Sequence, residues 1–278
     1  MTDIFLKIYL NRMKIPKNVF PYIYLSLFIL IVSICIYVVI RKVYPPIHLR
    51  PHVKSIHVIN LDKDTERWAS IEKGIAITPE RWSATYGKDY TQEELVAQGI
   101  GYAITRSGSG PYSEQGGKNM RNLGVAGCYL SHKKLLKYLS ELDVPDYYGH
   151  LILEDDVNIP RNFLEPGDEW HKYYWRVPVD WDMVYFDMTK PEGVMIDDGI
   201  MKLRYKRGDD GGNWGTHAYM VKHSSIKSKI LPWLAHMNDA IDEQYKQKFD
   251  EWNVYCVVPG IIQLNPELSA DSSIQNNK

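Results

Sequence analysis

Three adjacent carboxylates follow a strongly apolar segment, and their position suggests cation chemistry. Glu154, Asp155 and Asp156 end the segment HLILEDDV, residues 150–157, which has the length and composition of a buried strand. Adjacent acids repel one another unless a cation lies among them, and hard divalent ions such as Mn²⁺ or Mg²⁺ prefer carboxylate oxygens. We therefore interpret the segment as a divalent-metal site that could also hold a diphosphate, or else as a solvated acidic turn.

Several other function classes are excluded by the same residues and by composition. Haloacid-dehalogenase phosphatases also end an apolar strand in Asp-x-Asp, but here Glu154 stands in the nucleophile position before Asp156, and Val157 lies two residues beyond Asp155. The 33 basic and 34 acidic side chains nearly balance, so there is no basic field for nucleic acid. Three cysteines in 278 residues do not form a disulfide scaffold.

Strands and helices alternate around the acidic segment. Residues 53–61 are β-branched and alternating, which predicts a strand, and residues 62–74 then predict a helix. Thr91 and Glu94 have the spacing of a capping box for a short helix. Residues 123–142 predict a longer helix.

Three further strands are predicted at residues 181–188, 216–221 and 252–258. This alternation predicts one α/β domain with a mainly parallel sheet, helices on both faces, and a site beyond the carboxyl ends of the strands. The acids at residues 154–156 are expected at such an end.

A long Gly/Ser-rich segment, residues 99–122, separates two of the predicted helices. Its length suggests a flap over a site or a disordered loop. Lys118 and Arg121 are then candidates for clamping phosphates when the flap closes.

Residues 19–40 contain no charged side chain. At about 1.5 Å per residue such a helix would be roughly 33 Å long, enough for a hydrocarbon core of about 30 Å. We therefore expect a tail over residues 1–18, a single transmembrane anchor over residues 19–40 and a Pro-containing spacer over residues 41–52. Basic residues flank both ends equally, so the charge pattern does not set the orientation. We expect the domain that follows the anchor to lie in the lumen of the endoplasmic reticulum or Golgi of a eukaryotic host.

The order of motifs resembles glycosyltransferase family 25, the lipopolysaccharide-biosynthesis and procollagen galactosyltransferase group. VINLDKDTERW (58–68), RWSATYGKDY (81–90), GVAGCYLSHKKLL (124–136) and LILEDDV (151–157) are similar to successive segments of that family. WDMVYFD, GTHAYMV, DAIDEQY and VVPGIIQ continue the likeness, which covers roughly residues 53–275. The chain departs from the family pattern at Val125 and Tyr86, which puts donor and acceptor preference in doubt.

The resemblance implies a GT-A-like nucleotide-binding αβα sandwich behind the single transmembrane helix, with a family 25-like catalytic domain over residues 53–275. It also implies a metal, Mn²⁺ with Mg²⁺ as the alternative, held by Glu154 and Asp156 against a UDP-linked nucleotide sugar. Each donor-binding candidate also has a structural alternative, such as a turn, a surface ion pair or a core position. These donor-binding candidates are Asn60, Leu61, Arg67, Ser131, His132 and Asp155.

An inverting transfer of a sugar, galactose among the candidates, to a glycan, lipid-linked sugar or protein acceptor needs a general base. Asp242 matches the family's acid between two predicted strands, Glu243 is the second choice, and helix capping is the structural alternative, for which Asp239 is better placed. A transferase of another family and a non-catalytic carbohydrate-binding membrane protein remain the alternative functions. The acids that catalysis would need are all present, and this favours an enzyme over the non-catalytic alternative. These acids are Glu154, Asp155, Asp156 and Asp242.

Overall fold

The computed structural model describes residues 20–43, 49–100, 123–205 and 212–269. The chain divides into two compact units, Met1–Ile47 and His48–Lys278. The predicted flap over residues 99–122 lies almost entirely outside the described residues, and so do Lys118 and Arg121.

The first unit contains helix α1 (Phe20–Val43), in which side chains are described for Phe20 and residues 22–38. Within the described part of the chain, no helix is long and apolar enough to cross a membrane. The predicted transmembrane anchor over residues 19–40 is therefore not supported.

The second unit is a mixed α/β structure. Its strands are β1 (Val53–Asn60), β2 (Glu80–Ser83), β3 (Gly149–Glu154), β4 (Val157–Asn158), β5 (Met183–Tyr185), β6 (Gly193–Asp197), β7 (Ile200–Leu203), β8 (Ala218–Lys222), β9 (Val254–Val257) and β10 (Gln263–Leu264). Its helices are α2 (Thr65–Gly74), α3 (Gln92–Ala97), α4 (Leu123–Ser140), α5 (Glu169–Tyr173), α6 (His223–Ser225), α7 (Leu231–Trp233), α8 (Ile241–Lys246) and α9 (Pro266–Ser269). A 3₁₀ turn (Gly87–Asp89) precedes α3, and a π-helical turn (Ile226–Ile230) joins α6 to α7.

Eight strands form one sheet in the order β2-β1-β3-β8-β5-β9-β7-β6. The pairs β1–β2, β1–β3 and β5–β9 are parallel, whereas β8 runs antiparallel between β3 and β5, and β6 and β7 form an antiparallel hairpin at one edge. The sheet is thus mixed rather than mainly parallel. The strand predicted at residues 216–221 is present as β8, but its antiparallel direction was not predicted, because hydrophobic alternation does not reveal strand direction.

Helices pack on both faces of the sheet, as predicted. Alternation within β3 sends Ile152 into the core beneath α4, while Leu151 and Leu153 point into the second core beneath α2 and α5. Burial of each such side chain contributes about 1.5–3 kcal/mol. The strand is therefore apolar on both faces, and its acids begin only where it leaves the cores.

Local signals place the helices next to these cores. The Thr91–Glu94 capping box is present, and α3 is followed by Gly99 at φ 85°. The inward face of α4 includes buried Tyr129, His132 and Leu136, as its helical spacing predicts.

Candidate active site

The acidic segment lies where several chain ends converge. In the parallel pair β1–β3, Ile59 is opposite Glu154, so Asn60 and the acids leave the sheet at the same edge. Because β8 is antiparallel to β3, its first residues, preceded by Thr216 and His217, begin at that edge too. The topology therefore gathers polar groups from three neighbouring strands at one place.

Asp155 is held inside the protein by two donors. Asn60 Nδ2 donates to Asp155 Oδ2 at 2.6 Å, and Arg67 Nη1 donates to Asp155 Oδ1 at 2.8 Å. Arg67 also donates to the carbonyl of Leu268, and Arg81 donates to Asn60 Oδ1 at 2.8 Å. Burial raises the pKa of Asp155 above its ordinary value, although both donors oppose that rise. The turn after β3 is thus fixed to β1 and α2.

Glu154 has a different set of partners. Thr216 Oγ1 donates to Glu154 Oε1 at 2.7 Å, and His132 Nε2 lies 3.3 Å from the same oxygen. Burial acts to raise the pKa of Glu154, but these two contacts and the nearby His217 leave it below the ordinary value. Glu154 is therefore a carboxylate at neutral pH.

Asp156 is buried, but one of its oxygens lacks a partner. Its side chain is only 9% exposed, and no described group hydrogen-bonds to Oδ1. Burial, Glu154 and Asp155 together raise the pKa of Asp156 to about 6. A buried, unsatisfied carboxylate beside a second carboxylate costs stability unless a cation binds there. The donor set is all oxygen, which suits Mn²⁺ or Mg²⁺.

A pocket that is partly open to solvent lies over these acids. All three acids line it, as do Leu61, Arg67, Ser131 and His132. Asn60 supports the floor from below through Asp155. The structure therefore brings the predicted metal and donor residues to a single site, with Asn60 just behind the pocket lining, whereas Asp242 neither lines the pocket nor contacts these residues through a described hydrogen bond.

A loop that faces α4 forms the second wall. Thr85 N–H donates to Ser131 Oγ at 2.8 Å, and Ser131 in turn donates to the carbonyl of Gly127. A Cβ on Gly127 would lie 2.7 Å from Gly87 N, and one on Gly87 would lie 1.8 Å from the carbonyl oxygen of Leu123. The two glycines therefore permit the close approach of loop and helix, and the hydrogen bond between Thr85 and Ser131 ties the loop to α4.

The pocket rim carries positive charge and an aromatic ring. Lys63 Nζ lies 4.3 Å from the centroid of Tyr86, and Lys88 Nζ lies 5.9 Å from it. Tyr86 and Lys88 line the pocket, and Arg67 projects into it from α2. Cations at the rim and carboxylates on the floor suit a ligand whose anionic part meets both side-chain cations and a bound metal.

Sequence reasoning did not single out three polar residues near the acids. Thr216 bonds Glu154, and His217, only 2% exposed, has Nε2 3.1 Å from Asp187 Oδ2. Asp187 follows β5 and was recognisable as an acid at a strand end. Thr216 and His217 precede an antiparallel strand, and their position depends on a strand direction that the sequence does not reveal.

Asp242 lies at the start of α8. Its carboxylate accepts hydrogen bonds from the N–H groups of Gly215 at 3.1 Å and Glu243 at 2.9 Å. Burial raises the pKa of Asp242, and Glu154 adds to the rise. The N-cap of α8 is Ala240, so Asp239 does not occupy the capping position predicted for it. Glu243 forms an ion pair with Lys246 at 2.6 Å.

The family model described as glycosyltransferase family 25 (LPS biosynthesis protein) matches residues 53–244. The match starts at β1 and includes every predicted site residue from Asn60 to Asp242. None of the curated proteins is significantly similar to the chain.

Proposed function

This chain belongs to glycosyltransferase family 25 and is a glycosyltransferase; on that premise we propose that it uses a divalent cation at Glu154 and Asp156 to transfer a sugar from a UDP-linked donor. The fold we propose is a GT-A-like variant, with the nucleotide on the carboxyl ends of β1 and β3. The acceptor would be a glycan, a lipid-linked sugar or a protein, and galactose is a candidate sugar.

The unpartnered, buried Oδ1 of Asp156 is the observation that carries the metal assignment. A solvated acidic turn, the structural alternative, would leave this oxygen in water. Asp156 is instead buried beside Glu154, with its pKa raised, at the floor of a pocket. A cation there would relieve the repulsion and neutralise charge on a leaving diphosphate as a Lewis acid.

The other acid of the cluster has a positioning role in this proposal. Asp155 is committed to Asn60 and Arg67, so its carboxylate fixes the turn from which Asp156 projects. Thr216 and His132 orient Glu154 in the same way. Preorganised ligands lose little entropy when a cation binds.

The rim would bind the donor nucleotide. Lys88 and Arg67 are placed to meet phosphate charge, and Tyr86 offers an aromatic ring beside the pocket. Leu61 and Ser131 also line the pocket, where they would limit the space for the base and ribose. The departure from the family pattern at Tyr86 falls on this rim, so it is expected to affect donor choice.

Asp242 is our candidate for the general base of an inverting displacement. Glu154 and Asp156 would be committed to the cation, whereas Asp242 stands apart on α8. A carboxylate with a raised pKa accepts a proton from an acceptor hydroxyl more readily than an ordinary Asp. Gly215 and Glu243 hold it through their N–H groups, which fixes the orientation of the carboxylate.

A donor screen tests the proposed function. The full chain is incubated with Mn²⁺ and a panel of nucleotide sugars, and release of the nucleoside diphosphate is measured. We expect release from a UDP-linked donor, strong loss in Asp156→Asn, and retention in Asp143→Asn, which changes an exposed acid outside the site. Absence of release and of transfer with every donor, in a folded protein that still binds carbohydrate, would favour the non-catalytic alternative.

A further inference from the structure

Two side chains of α4 and the acid at the end of β3 form a cluster that offers sulfur, nitrogen and oxygen atoms to a metal, whereas Glu154 and Asp156 offer only oxygen. Cys128, His132 and Glu154 each offer one ligand atom, and these atoms all lie within 4.8 Å of one another. Cys128 and His132 are four positions apart on α4, so they project from the same face of the helix. All three residues line the pocket.

We propose that Cys128, His132 and Glu154 form a Zn²⁺ site on the pocket floor. Thiolate, imidazole and carboxylate are the ligands of zinc sites, whereas Mn²⁺ and Mg²⁺ prefer oxygen. Ligand atoms around one tetrahedral zinc are roughly 3.4–3.8 Å apart, given metal–ligand distances of about 2.0–2.3 Å. Small side-chain rotations would therefore close the site, and its fourth position would face the pocket.

A neighbouring hydroxyl orients the histidine for this role. His132 Nδ1 lies 2.8 Å from the hydroxyl of Tyr219, and the ring is fully buried. Without a metal, Nε2–H donates to Glu154, 3.3 Å away. When a metal binds, the tautomer in which Nδ1–H donates to the Tyr219 hydroxyl would leave Nε2 free to bind the ion. An outer partner on the second ring nitrogen is the usual arrangement for a histidine that binds metal.

The surrounding charge also favours a cation. The carboxylates of Glu154, Asp242 and Asp156 all interact electrostatically with the Cys128 side chain. Binding of Zn²⁺ would displace the thiol proton to solvent, with the Zn–S bond replacing the S–H bond.

The two cation sites share Glu154, so we expect the two ions to compete for its carboxylate. Zn²⁺ bound by Cys128 and His132 would take Glu154 from the all-oxygen site and occupy the pocket floor. Zinc is thus expected to inhibit Mn²⁺-dependent transfer. This last consequence rests on the proposed function, whereas the binding of zinc does not.

Cobalt substitution tests the binding directly. We expect the full chain with one equivalent of Co²⁺ to give the near-ultraviolet charge-transfer absorption of a thiolate–cobalt bond, and Zn²⁺ to remove it. The absorption should vanish in Cys128→Ser and in Cys128→Ala but persist in Cys35→Ser, which changes a cysteine of the other unit. Its absence from the folded wild type, or its persistence in folded Cys128→Ser, would overturn the proposal.

A further variant, Tyr219→Phe, tests the positioning of His132, and Cys128→Ser also tests the competition between the two ions. Tyr219→Phe should weaken Zn²⁺ about 10–100-fold, because it removes the partner of His132 Nδ1. In Mn²⁺-dependent transfer, Cys128→Ser should raise the Zn²⁺ concentration for half-inhibition at least tenfold. Unchanged zinc sensitivity in both variants would contradict the assigned ligands, and lack of any transfer with intact cobalt absorption would contradict only the proposed function.

Discussion

Asn60 and Asp155 are joined by a hydrogen bond of 2.6 Å between Nδ2 and Oδ2 that ties the end of β1 to the turn after β3. Arg67 holds the second oxygen of the same carboxylate. The next residue, Asp156, has a buried oxygen without a partner in the described chain. Of these two neighbouring acids, Asp155 is fully hydrogen-bonded within the protein, whereas Asp156 keeps one buried oxygen without a partner in the described chain.

Asp155→Asn should destabilise the protein. The amide offers its NH₂ to one of two groups that are themselves donors, so Asn60 or Arg67 loses its partner. Because both ion-pair side chains are only 10–15% exposed, we expect a loss of about 2–3 kcal/mol in the free energy of unfolding. Urea denaturation measures it, with Asp143→Asn as the surface control. An unchanged denaturation midpoint would show that the hydrogen bonds from Asn60 and Arg67 to Asp155 do not stabilise the fold.

Asp156→Asn, by contrast, should stabilise the metal-free protein at pH 7. Since the folded pKa of about 6 exceeds the ordinary value of 3.8, the folded state holds this proton more tightly than the unfolded state. The contribution of Asp156 to the free energy of unfolding is therefore fully present below about pH 4. It is lost as pH rises through 6, and the total loss is up to about 3 kcal/mol. In EDTA the variant should exceed the wild type at pH 7 and match it near pH 4. A variant that is less stable at pH 7 would contradict this reasoning.

The elements of the fold that could be predicted are those whose buried side chains produce a hydrophobic pattern in the sequence. β1, β3 and α4 are apolar or periodic and were predicted close to their observed ends. By contrast, every residue of β6 is exposed, so the hairpin with β7 left no hydrophobic pattern to detect. The strand β2 was also missed, because it has only 4 residues and short strands give weak alternation, whereas β5 lies within the strand predicted at residues 181–188.

The site was predictable as a set of acids but not as a set of partners. Glu154, Asp155 and Asp156 are adjacent and look equivalent in sequence, yet their hydrogen bonds depend on residues far along the chain. Asn60 could be placed at the end of a strand, but its bond to Asp155 requires the β1–β3 register. Metal, donor and base assignments for these residues stay predictions.

Acidification should lower the free energy of unfolding because His150 is buried. Burial, then the nearby His223 and His57, lowers the pKa of His150 from 6.5 to about 3. Between those values the unfolded state binds a proton that the folded state refuses, so stability falls as pH drops below 6.5, by about 1.4 kcal/mol per pH unit within that window. His150→Gln should show a flatter decline of the unfolding free energy from pH 7 to 5. Parallel curves for variant and wild type would exclude this contribution.

Asp242→Asn should slow transfer by roughly 10² to 10⁴ if Asp242 is the base. The amide can accept from only one of the N–H groups of Gly215 and Glu243, so a loss of about 1 kcal/mol in stability is also expected. Single-turnover rates and melting temperatures separate the two effects. Glu243→Gln is the matched neighbour and should keep most of the activity; the reverse pattern would make Glu243 the base.

Metal dependence of the transfer rate is the most direct test of the central claim. The full chain is stripped with EDTA, assayed with the donor that the screen identifies, and then assayed again after Mn²⁺ is restored. We predict that transfer disappears in EDTA, returns with Mn²⁺ in the wild type and in Asp143→Asn, and does not return in Asp156→Asn. Full transfer in EDTA, or normal recovery in Asp156→Asn, would contradict a cation held by Glu154 and Asp156.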